Sequence, residues 1–149
     1  MENPPAYKYC IRILSKKDYS RAKIKQKLID RDHADVADEL IELLVEKRYL
    51  REDYYVEGRI KGMMKKNYAP SYIILKLKEE GVEVGMSLIE EVFQEWGFDT
   101  YTQIEDLIRK KSILHDWTSE DIKIPQNKVK LSRFVQSKGH KWEELKDFF

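Results

Sequence analysis

YSRAKIKQKLIDRDHADVADELIELLVEKRY, residues 19–49, and YAPSYIILKLKEEGVEVGMSLIEEVFQEWGF, residues 68–98, are one pattern written twice. Slid by 49 residues, Tyr19 falls on Tyr68, Ile24 on Ile73, Lys27 on Lys76 and Leu28 on Leu77. Asp30 then meets Glu79, Leu40 meets Ile89, Leu44 meets Phe93 and Tyr49 meets Phe98, all without a gap. Within each copy the apolar residues recur at helical spacing: Val36, Leu40, Leu43 and Leu44 in the first, Ile89, Val92, Phe93 and Trp96 in the second. A register that survives a helix, a turn and a second helix marks a repeat rather than a chance likeness of two amphipathic helices.

Working outward, each pair is followed by a third helical stretch, 53–66 and 102–111, where the two copies agree only loosely. Leu131, Val135 and Gly139 reproduce the spacing of Ile73, Leu77 and Gly81, and Trp142, Leu145 and Phe149 give a following apolar face. The expected organisation is a first three-helix repeat with an N-terminal segment over 1–66 and a second repeat over 67–111. A connection over 112–127 and a truncated third repeat over 128–149 complete it. Pro125 sets the boundary before the last copy. Ser87 with Glu90 and Thr102 with Glu105 read as capping boxes, and Gly81 as a helix stop. Strand-like alternation is hard to find, so the fold class is all-α.

The 149 residues are 42% hydrophobic and 37% charged, enough for a core beneath a heavily ionic surface. The 28 Lys and Arg nearly cancel the 27 Asp and Glu, which argues against attachment to free nucleic acid through net charge alone. Charge is nevertheless segregated. From Gly58 to Lys78 there are six basic residues and no acid; from Glu79 to Ile108 there are nine acids and no base. The first copy repeats this, with Arg21, Lys23, Lys25 and Lys27 ahead of Asp32, Asp35, Asp38, Glu39, Glu42 and Glu46. Neighbouring helices that attract each other, or a basic and an acidic edge offered to a partner, would both produce this pattern. Tyr49, Tyr54, Tyr55, Tyr68 and Tyr72 lie in or beside the basic stretch. They suit either base stacking or rings buried at helix ends.

Catalytic patterns are missing: there is no Gly-rich phosphate loop, no H-E-x-x-H, and His33, His115 and His140 are scattered. No cofactor, no metal site and no enzyme activity are expected. A lone cysteine, Cys10, excludes an internal disulfide framework and reads as a small core residue of a reducing compartment. Met1 to Tyr9 contains no apolar leader, and no stretch approaches the roughly 20 apolar residues of a membrane span. A cytoplasmic location is expected.

The chain also resembles the RecX family, regulators of the RecA recombinase, from about Tyr9 to Phe149. The carriers are Tyr19-Ser20-Arg21-Ala22, Ile24 and Leu28, and then Tyr49-Leu50-Arg51-Glu52-Asp53-Tyr54-Tyr55. Lys66-Asn67-Tyr68-Ala69-Pro70, Lys78-Glu79-Glu80-Gly81-Val82 and Phe134-Val135-Gln136-Ser137-Lys138-Gly139 follow in order. Where the family pattern has glycine after the first basic helix, this chain has Asp32-His33. The resemblance implies tandem three-helix repeats in an elongated, curved array. It also implies binding to the recombinase and its filament on single-stranded DNA, restraint of filament growth, ATP hydrolysis and strand exchange, and so a part in recombination, DNA repair and the SOS response. The alternatives are a helical-repeat module that binds nucleic acid directly through its basic stretches and a scaffold for another protein. The candidate partner-binding residues are Arg59, Lys65, Lys66, Tyr68 and Lys76, with Arg133 and Lys138 in the third repeat. A monomer is expected, with weak direct nucleic-acid contact and no membrane partner.

Overall fold

The computed structural model describes residues 3–149. Met1 and Glu2, the start of the stretch read above for an apolar leader, lie outside the described residues. Among the described residues ten α-helices run α1 Pro4–Leu14, α2 Arg21–Asp30, α3 Ala37–Glu46, α4 Glu52–Lys65, α5 Pro70–Glu79, α6 Met86–Glu95, α7 Thr100–His115, α8 Ser119–Ile122, α9 Pro125–Ser137 and α10 Trp142–Leu145. Short 3-10 turns at Ala34–Val36 and Lys146–Phe148 complete the described elements, and no strand occurs among the described residues. The helical-repeat fold read from the sequence is what forms.

The 49-residue register extends into the backbone. α2 and α5 have bounds that differ by 49 at both ends, as do α3 and α6. Left-handed backbone follows the same rule: Asp32 (φ 62) with Gly81 (φ 82), Arg48 (φ 60) with Gly97 (φ 70), and Asn67 (φ 68) with Asp116 (φ 56). At each of these six turns the next amide closes onto a carbonyl five residues back. His33 N–H reaches Leu28 at 2.8 Å and Val82 reaches Leu77 at 2.9 Å. Tyr49 reaches Leu44 at 3.0 Å, Phe98 reaches Phe93 at 2.8 Å, Tyr68 reaches Met63 at 3.1 Å and Trp117 reaches Ser112 at 2.8 Å. These are Schellman closures, which satisfy the last carbonyls of a helix. Non-glycine residues fill four of the six positions, so the backbone repeats where the residues do not.

Caps differ in part from the sequence reading. Ser20 caps α2, its hydroxyl accepting from Lys23 N–H at 3.0 Å, and Glu52 takes the Arg21 N–H at 2.9 Å. The box expected at Ser87 and Glu90 does not form, because α6 starts two residues earlier at Met86 behind Gly85, which has no side chain to offer. At α7 the cap is Asp99, accepting from Thr102 N–H at 2.7 Å, so Thr102 sits inside the first turn. A reciprocal capping box does form at Thr118 and Asp121, in the stretch read as a connection.

The fold divides into two compact units, Met1–Arg59 with Leu77–Glu83, and Ile60–Lys76 with Val84–Phe149. In the first, α1, α2 and α3 close over one core: Ala6, Cys10 and Leu14 meet Ile24, Leu28, Ala37, Leu40, Ile41, Leu44 and Leu50. Burial pushes the Cys10 thiol up to about 11, so it behaves as an unreactive core group. In the second, Ile104, Leu107 and Ile108 of α7 pack with Leu131 and Val135 of α9 and Leu145 of α10. The buried sets are therefore three-helix groups that each begin on the long helix preceding a basic one.

Candidate functional site

The basic helices spend part of their charge locally. On α2, Arg21 pairs with Glu42 and Lys25 with Asp38 at 3.0 Å, both on α3. Attraction between neighbouring helices thus accounts for that share of the charge segregation, and such exposed pairs contribute only about 0–1 kcal/mol each. Arg51 reaches Asp18 at 3.1 Å in the same unit.

Arg59, a half-buried residue of α4, is engaged within the fold. Its guanidinium meets the Glu80 carboxylate through two bonds, Nε to Oε1 at 3.1 Å and Nη2 to Oε2 at 2.5 Å, and the Tyr55 hydroxyl donates to the same Oε1. Burial, then the bond to Glu80, pushes the Tyr55 hydroxyl up to about 12, and the bond to Glu80 raises Arg59 further. Tyr55 therefore stays a donor, and the Arg59 fork holds a carboxylate of its own chain. The three residues line one side of a cleft of about 610 Å³ with Lys17, Tyr19, Lys23 and Glu79.

In the second unit the structure joins two predicted residues that lie 70 positions apart in the chain. Lys138 Nζ stands 4.5 Å from the centroid of the Tyr68 ring and 3.4 Å from its hydroxyl, while Tyr68 stacks on Tyr72 at 4.4 Å. The Ala69 N–H donates to the Lys138 carbonyl at 2.8 Å, so backbone as well as side chain fixes this junction. Gly139 follows in left-handed conformation (φ +91), with the Tyr72 Cβ against the place its own Cβ would take. Lys65 and Lys66, at the end of α4, are exposed, and Lys65 Nζ lies 4.9 Å from the Trp96 ring, which Lys61 also approaches at 4.5 Å. Arg133 is exposed on α9, and Lys76 is half-buried on α5. Tyr68 and Lys138 are thus a contact; Lys65, Lys66 and Arg133 are surface cations.

Sequence reasoning missed a buried polar cluster beside this junction. Gln103 on α7 donates to the carbonyls of Met64 at 3.1 Å and Tyr68 at 2.9 Å. Asn67 Nδ2 donates to Asp106 at 2.7 Å, and His140 Nε2 donates to the Asn67 carbonyl at 2.9 Å. Its signal was the asparagine of Lys66-Asn67-Tyr68, since asparagine is among the few residues that enter left-handed turns readily. Lys110, with Asn67 and Arg109 assisting, holds the Asp106 carboxyl down at about 2.

Burial of His140 lowers its proton affinity below the ordinary histidine value of 6.5. The unfolded chain takes up this proton first as pH falls, so the contribution of neutral His140 is present above about pH 6.5 and lost below it. Urea unfolding should show stability declining from pH 7 to pH 5 by up to roughly 1.4 kcal/mol per pH unit. His140→Gln should flatten that slope; a slope unchanged by the substitution would contradict this role.

Among the described residues no group of three His, Cys, Asp or Glu side chains could hold a metal ion, and no helix is long and apolar enough to cross a membrane. Fold and site together define a protein of the helical-repeat class, with three-helix groups joined through left-handed turns. Residues 6–44, spanning the core of α1, α2 and α3, match the family model described as RecX, first three-helix domain. Over 144 residues, 95% of this chain and 91% of each relative, the chain is 24% identical to the regulatory protein RecX of Haemophilus influenzae strain PittEE and to that of strain PittGG. The first three-helix group thus matches a RecX domain model, and the chain as a whole is similar to regulatory proteins RecX along nearly its full length.

Proposed function

We propose that this protein binds the RecA recombinase and its filament on single-stranded DNA, and restrains filament growth, ATP hydrolysis and strand exchange. The observation that carries the reading is the similarity to regulatory proteins RecX along nearly the whole of both chains. Exposed cations and a near-neutral total charge support it. A recombinase–DNA filament presents ridges of both signs, and segregated charge can match them without collapse onto free DNA. We place the repeats over 1–66, 67–111 and 128–149 with the connection over 112–127, in a monomer of the cytoplasm.

The contact surface is proposed on Lys65, Lys66 and Arg133, with Tyr68, Lys76 and Lys138 beside them. Arg59 contributes through the cleft it lines, since its fork is held by Glu80. Lys65→Glu with Lys66→Glu is the clean test, because both residues are exposed. In co-sedimentation with recombinase filaments, the double variant should bind several-fold more weakly at low salt, chiefly through a slower encounter, with an unchanged melting temperature. Wild-type co-sedimentation by a folded double variant would remove this surface. Equal binding to bare DNA, with a steep salt dependence and no need for recombinase, would favour direct nucleic-acid binding instead.

A further inference from the structure

Beside α1 lies a smaller cavity of about 300 Å³, lined by Pro5, Lys8, Tyr9, Arg12 and Arg31. Its described lining contains three cations and no carboxylate. Arg31 sits with its guanidinium carbon 3.9 Å above the centre of the Tyr9 ring, and that of Arg12 lies 5.5 Å from the same centre. Lys8 and Arg12 are one helical turn apart on α1, and Arg31 follows the end of α2.

The repeat provides an internal comparison. Forty-nine residues on, Glu57 stands at the position of Lys8 and Glu80 at the position of Arg31. There Glu80 closes on Arg59 and Tyr55, so that corner of the fold is neutralised from within. At the first corner both acids are replaced by cations, and the ring of Tyr9 takes the place of a counter-ion. A π-face orients a guanidinium without cancelling its charge, leaving the N–H edges of both forks to a ligand.

We propose that the cavity over Tyr9 is a binding site for a phosphate group, held by Arg12, Arg31 and Lys8. Two planar forks and one ammonium can share the several oxygens of a tetrahedral phosphate, whereas a carboxylate has only two. The inference does not depend on the recombinase reading, since it uses only the first unit and its charge.

The test uses the full chain and a short fluorescent oligothymidylate, followed by anisotropy, with inorganic phosphate as a competitor. The double substitution Arg12→Gln with Arg31→Gln should weaken binding by about tenfold or more and reduce the salt slope by roughly 1.4, as expected for two lost phosphate contacts on a single strand. Lys8→Gln, which leaves the stacked ring untouched, should weaken it by a smaller factor, and Lys123→Gln should leave it unchanged. Competition by millimolar inorganic phosphate would assign the site to the isolated anion; binding indifferent to it, yet lost in the double variant, would assign it to the strand backbone. An Arg12→Gln, Arg31→Gln protein that stays folded and binds the strand like wild type would overturn the proposal. So would a polyglutamate peptide that binds as tightly as the strand at equal ionic strength.

Discussion

Leu28→Ala should lower unfolding stability by roughly 2–5 kcal/mol, the range for removing a fully buried leucine from a packed core. Leu28 is fully buried on α2, among buried side chains of α1 and α3. Leu77, its partner in the 49-residue register, is equally buried, and Leu77→Ala should cost the same order. Ile29, next to Leu28 but 41% exposed, provides the comparison. Ile29→Ala should cost well under half as much. Urea denaturation with an unchanged m-value measures all three. Equal losses at positions 28 and 29 would contradict the helix face assigned to α2.

Gly139→Ala is the second large effect. Its φ of +91 disfavours any side chain, and a Cβ there would come 2.6 Å from the Tyr72 Cβ and 3.4 Å from that of Ala69. Left-handed backbone alone costs an L-residue about 1–2 kcal/mol, and the contact adds to it because both neighbours are Cβ carbons fixed directly to the main chain. A loss of about 2–4 kcal/mol is expected, with weakening of the Lys138 and Tyr68 contact that shares this turn. Gly97 separates the two causes: it has φ +70 but nothing within 4 Å of a new Cβ. Gly97→Ala should therefore cost only the conformational part, about 1 kcal/mol. Thermal unfolding of the two variants side by side decides the matter, and equal losses would show that the approach to Tyr72 carries no weight.

The same turns explain what the sequence displayed and what it hid. The helix pairs were legible because Ile24, Leu28, Leu40 and Leu44 must all be apolar to fill one core, and their counterparts Ile73, Leu77, Ile89 and Phe93 are each buried too. The third helix looked unrelated between copies. Tyr55 and Arg59 of α4 form a polar trio with Glu80, whereas the matching positions on α7, Ile104 and Ile108, belong to an apolar core. Hydropathy fails there although the backbone register holds. Left-handed turns filled by Asp32, Arg48 and Asn67 rather than glycine removed the punctuation that would have marked it.

The candidate surface was only partly readable. Lys65, Lys66 and Arg133 are exposed, as a basic run on a helix suggests. Arg59 finds Glu80 21 residues on, past the end of the next helix, and Tyr68 finds Lys138 from 70 residues away. Spacing along one helix cannot express either pairing. The buried amides and imidazole of Gln103, Asn67 and His140 were hidden for the same reason, since each satisfies a main-chain or side-chain group on another element.

The proposed regulation is tested most directly by recombinase ATP hydrolysis on single-stranded DNA, titrated with this protein. The account predicts inhibition at amounts well below one copy per recombinase subunit, because a blocked growing end silences every subunit that would have followed. A hydrolysis rate unchanged up to equimolar protein, under conditions where the recombinase is saturated with DNA, would contradict it.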